Sequence, residues 1–353
     1  MTSQPPAEGA IRLSVCIPTF NFGRFIGETL ESLLPQVTDE VEVVVLDGGS
    51  TDNTTEVVRS FEERYPALRY QRQAERGGID RDLARTVELA QGEYVWLFCS
   101  DDVMKPGAIA RMLENLRSGG DVYVCGFTLC TFDMRPLRDA PIMRVGSNVE
   151  FDLGDTAGRR AYFERAQTTP AFFSFAGSLM FRKSLWDSES LDERFVGTCW
   201  AHAARFFALM QHGFRLEFLP DSYLYKRSEN DSFMDSGLVR RYSLAIDGYN
   251  RLAGTFFGDD SAEAREIRRV VRNEFVPWAF LIAKLEARRD GRTEDLPLLD
   301  RLAATTYRDG GVKNRIYHLI YRYTPVTAFR SALAAYRALR AALRSLKPQP
   351  HVP

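Results

Sequence analysis

Residues 96–103 read WLFCSDDV, a bulky apolar run suited to a buried strand that stops on two adjacent carboxylates. Burying a carboxylate without a partner is costly, so Asp101 and Asp102 require donors, water or a cation. Side chains alternate along a strand, which sends Cys99 and Asp101 one way and Ser100 and Asp102 the other. A strand-end Asp101 suits a hard divalent cation, Mg2+ or Mn2+, shared with a substrate diphosphate. Such ions take one or two protein carboxylates when phosphates supply the other oxygens. The competing use of this pair is to cap the helix that starts near Pro106.

Three further stretches carry groups of the same kind. In DGGSTD (47–52), Asp47 stands at a strand end, where it can accept hydrogen bonds from a ribose or base, whereas Asp52 reads as a helix cap. In ERGGIDRDLAR (75–85), Gly77 and Gly78 allow close backbone approach to a phosphate and Arg81 can pair with one; a solvated helix start is the alternative. His202 lies between aromatics in CWAHAARFF, as a core residue or as a base.

The elements that must position these residues follow from the hydrophobic pattern. RLSVCIP (12–18), VEVVVLD (41–47), ALRYQRQ (67–73), EYVWLFCS (93–100) and DVYVCGFTLCTF (121–132) predict strands. Helices are expected between them, including 106–117 with Pro106 in its first turn. This alternation predicts a parallel sheet covered on both faces, with ligands beyond the carboxyl ends of its strands. The loops PTFN (18–21), DGGSTD and SDD (100–102) are therefore expected to share one crevice. AFFSFAGSLMF (171–181), a helix over 199–213 and a strand over 214–220 complete a first domain, 11–236, behind a disordered leader, 1–10. Helices alone are expected afterwards, over 238–257, 261–289, 294–307 and 313–346 with a break near Pro325. They divide into a helical domain, 237–310, and a basic amphipathic tail, 311–353.

The 353 residues are 45% apolar and 26% charged, a soluble globular composition. No run of apolar residues is long enough to span a bilayer, and MTSQPPAEGA lacks the pattern of a secretory signal. Five cysteines without a CxxC pair argue for reduced thiols in a cytoplasmic protein rather than zinc or disulfides. Net charge is −1, but the segment from Gly310 onward holds eight Lys or Arg and no Asp or Glu, which leaves −9 on the remainder. Phe329, Leu333, Tyr336, Leu339, Leu343 and Leu346 form an apolar stripe there, edged by Arg330, Arg337, Arg340, Arg344 and Lys347. An anionic membrane surface or the acidic remainder of the chain is the expected partner, and no nucleic acid.

Taken in order, LSVCIPTFNFGRFIGETLESLLPQ, VEVVVLDGGSTDNT, RGGIDRDLA and GEYVWLFCSDD resemble family 2 glycosyltransferases of the GT-A fold. The family pattern is P-T-[YF]-N after an apolar strand, a D-x-G-S-x-D turn, G-x-x-x-R and a strand-end D-x-D-D. TTPAFFSFAGSLMFRKSLW and GTCWAHAARFF are similar to a bacterial abequosyltransferase-like subgroup, which moves a dideoxyhexose from a CDP-sugar to a lipid-linked O-antigen intermediate. The resemblance implies an α/β GT-A domain followed by a helical region. It implies a CDP- or UDP-linked sugar donor and a glycan acceptor carried on the cytoplasmic face of the inner membrane. Pro18, Thr19, Asn21, Asp47, Ser50, Gly78, Arg81, Ser100 and Asp101 would bind the nucleotide sugar, Asp101 would hold Mn2+ or Mg2+, and His202 and Asp102 would be catalytic. Two departures stand out. Cys99 replaces the first Asp of D-x-D, and sulfur is a poor ligand for Mg2+. The acidic pair that commonly supplies the general base is absent from FVGTCWAHAARFF, which leaves His202, with Asp192 and Glu193 competing. A nucleotidyltransferase, or a non-catalytic sugar-binding protein on a degenerate transferase fold, are the rival readings.

Overall fold

The computed structural model describes residues 10–230, 236–308 and 311–345, with side chains placed as far as 336. The chain divides into two compact units: Met1–Asp231 with Asn250–Val270, and Ser232–Tyr249 with Val271–Pro353.

The first unit opens with β1 (Leu13–Thr19), α1 (Gly23–Leu33), β2 (Val41–Asp47), α2 (Thr54–Glu62), β3 (Leu68–Arg72), α3 (Ile79–Leu89) and β4 (Tyr94–Leu97). Strands β3, β2, β1 and β4 lie side by side and parallel. Every residue of β2 is buried, as expected of a central strand covered on both faces. Of its two acids, Glu42 is satisfied by the Ser14 hydroxyl at 2.6 Å, the Gln91 amide at 2.6 Å and Arg69 at 3.0 Å. β5 (Val103–Met104), α4 (Ala108–Asn115), β6 (Val122–Cys130), β7 (Pro136–Asp139), β8 (Val149–Asp152), α5 (Thr156–Arg165), β9 (Leu179–Arg182), α6 (Lys183–Asp187), α7 (Ala201–His212) and β10 (Arg215–Arg227) follow.

The parallel arrangement holds for the first half of the sheet. Beyond β4 the sheet becomes mixed: β9 enters antiparallel between β4 and β6, and β10 lies parallel to β6. The short strands β5, β7 and β8 pair antiparallel at the margins. The run 171–181, expected as one apolar group, divides into two 3-10 turns and β9.

After this come α8 (Leu238–Phe257), α9 (Ala262–Glu274), α10 (Pro277–Arg289), α11 (Leu296–Tyr307), α12 (Val312–Tyr323) and α13 (Val326–Ser345). The single helix expected over 261–289 is two, because Pro277 takes the first turn of α10 and holds Val276 extended at ψ 162°. In the second unit, fully buried Phe280 of α10 is ringed by Tyr242, Phe275, Tyr307 and Tyr321. Helices α11, α12 and α13 each pack on α10.

Candidate active site

Parallel pairing of β1 with β2 and β4 brings Thr19, Asp47 and the segment after Leu97 to one edge of the sheet. Since β9 is antiparallel to both β4 and β6, and β10 is parallel to β6, the end of β10 lies on that edge as well. Lys226 and Arg227 thereby join the three loops singled out in the sequence.

The carboxylates sit at the centre. One ligand atom from each of Cys99, Asp101 and Asp102 lies within 4.8 Å of the other two; Asp102 does not point away as strand alternation predicts, because β4 ends at Leu97 and these residues lie in the turn after it. Asp102 is 2% exposed; its Oδ1 accepts from the Arg227 amide at 2.9 Å and its carbonyl from the Thr29 hydroxyl at 2.8 Å. Asp102 Oδ2 is buried with no hydrogen-bond partner. Burial, reinforced by the Asp101 charge, pushes its pKa up to about 8. Asp101 Oδ2 accepts from Asn230 at 2.8 Å, and burial raises this carboxyl too, against the opposing pull of Asn230 and Lys226. The Cys99 thiol is pushed well up by burial and by both carboxylates. Neither aspartate caps α4: its N-cap is Gly107, and the Ala108 amide donates to Gln36 Oε1 at 3.0 Å.

A divalent cation fits this group. It would supply the missing partner of Asp102 Oδ2 and favour the ionised carboxylates that burial disfavours.

Arg227 locks the cluster. Its Nε donates to the Asp101 carbonyl at 3.0 Å and its fork reaches Glu28 and the Phe132 carbonyl, with the Phe25 ring 5.1 Å away. Lys226 lies 5.0 Å over Phe175. Sequence reasoning missed Lys226, Arg227 and Asn230. The only signal was that YKRSEN also ends an apolar strand in polar residues.

The first two loops are tied to each other. Asn21, at φ 58°, donates its amide to Ser50 Oγ at 2.8 Å and accepts from the Thr51 amide at 2.8 Å. Asp47, fully buried, accepts from the Ser50 amide and the Tyr70 hydroxyl, each at 2.7 Å, and from Thr55 at 3.3 Å. Asp52 bridges two helix starts, accepting from Gly23 of α1 and Thr54 of α2, each at 3.0 Å. These carboxylates hold the loops in shape. Thr19 Oγ1, by contrast, is buried without a partner at the end of β1, beside half-buried Pro18. Ser100 is also buried, in the turn between β4 and β5. Asp82 lies beneath two loops at once: a Cβ on Gly48 or Gly77 would come within 2.6 Å or 2.5 Å of its carboxylate. A side chain at either position would force the Asp82 carboxylate to shift.

Helix α3 starts on the same edge, at Gly78 with φ 84°. Its first turn carries Asp80, which accepts from the amides of Gly197, Cys199 and Ala201 at 2.8, 2.9 and 3.1 Å. Helix α7 has no capping side chain of its own, so Asp80 acts as its cap from outside and places His202 beside the start of α3. His202 is half-buried, and its Nε2 donates to the Phe173 carbonyl at 2.8 Å, leaving the Nδ1 lone pair unused by that contact. Burial lowers its pKa, and the Asp80 charge opposes that. Segment 173–177 therefore joins both halves of the site: Phe173 holds His202, the Phe175 ring backs Lys226, and the Gly177 carbonyl accepts from Trp96 at 2.9 Å. Arg81 forms a two-pronged pair with Glu193, at 2.7 and 3.2 Å, and Arg194 pairs with Asp192 at 2.6 Å. Both upstream acids are thus engaged by arginine.

Residues 14–188 match the family model for glycosyl transferase family 2. The abequosyltransferase RfbV of Salmonella typhimurium is 28% identical over 274 residues, spanning 76% of this chain and 82% of that protein. The GalNAc(5)-diNAcBac-PP-undecaprenol beta-1,3-glucosyltransferase of Campylobacter jejuni is 24% identical over 54% of this chain and 59% of its own length. Among solved structures, S. aureus TarS 1-349 in complex with UDP-GlcNAc aligns over 93% of this chain and 92% of its own, with TM-score 0.57 and 18% identity. The mannosyltransferase PcManGT from Pyrobaculum calidifontis, in complex with GDP-Man and Mn2+, aligns over 94% and 83%, with TM-score 0.52 and 20% identity.

Proposed function

This chain carries a family 2 glycosyltransferase domain on a GT-A fold, and from that premise we propose that it moves one sugar from a CDP- or UDP-linked donor to a lipid-carried glycan acceptor. Cell-surface polysaccharide or O-antigen synthesis at the cytoplasmic face of a membrane is the proposed setting. A deoxyhexose is the proposed sugar, on the strength of the similarity to an abequosyltransferase. The observation that carries this reading is the cluster of Cys99, Asp101 and Asp102, with one oxygen unpartnered, on the sheet edge that also bears Thr19 and the Asn21–Ser50 loops.

Cys99, Asp101 and Asp102 are the residues that would hold a divalent cation. A bound cation supplies positive charge to a departing diphosphate. The chain's own residues do the remainder. Arg227 fixes the Asp101 carbonyl and the Asp102 carboxylate, and Lys226 adds charge at the cluster. The Asn21–Ser50 loops and Thr19 receive the nucleoside. His202, its Nε2 committed to Phe173, takes the acceptor proton at Nδ1.

Nucleotide release from a panel of CDP-, UDP- and GDP-sugars, with and without Mn2+ and acceptor lipid, tests this. Mn2+-dependent release from a CDP- or UDP-sugar, accelerated by acceptor, is expected; no release from any donor would overturn it. Donor binding without transfer is the second reading, favoured by the arginine pairing of Asp192 and Glu193. It predicts saturable nucleotide-sugar binding with no release under any condition.

A further inference from the structure

Eight large apolar side chains are strongly exposed among the described residues, and five of them, Val312, Ile316, Leu319, Tyr323 and Tyr336, fall in the last two helices. Ile79, Leu137 and Trp278 are far apart in sequence, and each stands alone on its element. Four of the five sit on α12 at spacings of four, three and four residues, which at 3.6 residues per turn puts them within about 60° of arc. Val312 is 73% exposed, Ile316 48%, Leu319 52% and Tyr323 69%.

The opposite face of α12 is accounted for. Tyr321 is 2% exposed, packs on Phe280 with ring centroids 5.6 Å apart and bonds Asp300. Tyr317 packs on Tyr307 at 5.9 Å. The helix is therefore anchored to α10 and α11 by one stripe and turns a second, apolar stripe outward. Folding alone does not explain that stripe, because large apolar side chains left in water forgo the stabilisation that burial would give.

The charges beside the stripe indicate what covers it. Arg315 and Arg322 flank it on one side and Lys313 on the other. None of these three, nor Arg330, forms an ion pair with an acid of the described chain. The segment from Gly310 onward contains no Asp or Glu at all. An apolar ridge edged by cations without an acidic partner among the described residues is complementary to a lipid interface with anionic headgroups, with apolar side chains among the acyl chains and arginines at the phosphates.

We infer that the outward face of α12, Val312, Ile316, Leu319 and Tyr323 with Arg315 and Arg322, docks the protein on an anionic membrane surface. This rests on the membrane setting of the proposed function and gives it a specific helix face. It differs from the sequence expectation, which placed the contact on α13. In the described part of that helix, Phe329 and Leu333 are half-buried and only Tyr336 is strongly exposed.

The test is co-sedimentation of the full-length chain with vesicles of phosphatidylcholine containing 30% phosphatidylglycerol, beside donor hydrolysis in solution. An Ile316→Glu/Leu319→Glu variant should lose at least 10-fold in vesicle binding. It should retain the melting temperature and donor hydrolysis of the parent, since both side chains point away from the packed face. A Leu339→Glu/Leu343→Glu variant should bind nearly as well as the parent. The reverse ranking would overturn the α12 assignment while leaving the membrane setting intact. A parent that ignores these vesicles at low salt, or one that forms a dimer broken by Ile316→Glu/Leu319→Glu, would overturn the docking role. Donor hydrolysis, read separately, reports on the transferase reading alone.

Discussion

Asp102 is held by its own sheet edge: Oδ1 is bonded, Oδ2 has no partner, and burial lifts its pKa to about 8. Between its ordinary value of 3.8 and about 8, the folded chain keeps a proton that the unfolded chain has released. Stability in metal-free buffer should therefore fall as pH rises across that window and flatten above it. Asp102→Asn should remove most of this slope, read as melting temperature against pH, and parallel curves for the two proteins would show that Asp102 is already ionised. The neighbouring Asp101→Ala should cut Mn2+-dependent transfer by at least the roughly 10²-fold typical of one electrostatic contact, with the fold intact by circular dichroism. His202 calls for a finer substitution than alanine. Glutamine can still donate to the Phe173 carbonyl but offers no imidazole base. His202→Gln should lower transfer by about 10²–10⁴-fold while donor affinity holds; wild-type turnover would make the histidine a packing residue. Asp101, Asp102 and His202 were legible in the sequence because their residue types stand out against apolar surroundings. Arg227 was not: it reaches Asp102 across 125 residues, through a β6–β10 pairing that no local pattern reveals.

At the scale of elements, the first four strands and the helices between them were readable because βα alternation obeys one rule throughout. Legibility declined where the chain reversed direction. β9 is only four residues, LMFR, and sits between two strands that run the other way, so neither its length nor its composition announces an antiparallel insertion. Asp80 shows how one element borrows from another. It sits in the first turn of α3, where an acid reads as ordinary dipole compensation, yet its carboxylate satisfies three amides, two just ahead of α7 and one at its first residue. Hydrogen bonds to a charged group contribute about 1.5–3 kcal/mol each before the survivors regain water. Asp80→Ala should therefore destabilise by about 2–4 kcal/mol in urea unfolding, within the range of a lost buried network. It should also impair transfer more than nucleotide binding, because the loops proposed to receive the nucleoside do not use Asp80. Equal losses of both would place Asp80 within the donor site.

At the scale of the whole molecule, charge is the organising asymmetry: +8 from Gly310 onward against −9 before it. Two destinations for the basic segment were open from the sequence, the chain's own acids or an anionic surface. The described cations on α12 and the start of α13 have no acidic partner among the described residues, the observation on which the proposed anionic surface rests. Each basic residue near such a surface contributes about 1 kcal/mol, and that contribution decays within a Debye length. Raising salt from about 0.05 to 0.5 M shortens that length from roughly 14 to 4 Å, so vesicle binding of the parent chain should fall at least 10-fold. The remainder belongs to the apolar stripe and should persist weakly on neutral phosphatidylcholine. In Arg315→Ala/Arg322→Ala the salt dependence should flatten while that neutral remainder survives; in Ile316→Glu/Leu319→Glu the remainder should vanish first. Co-sedimentation across a salt series separates the two. An unchanged salt slope in the arginine variant would assign the electrostatic contact to cations other than those on α12.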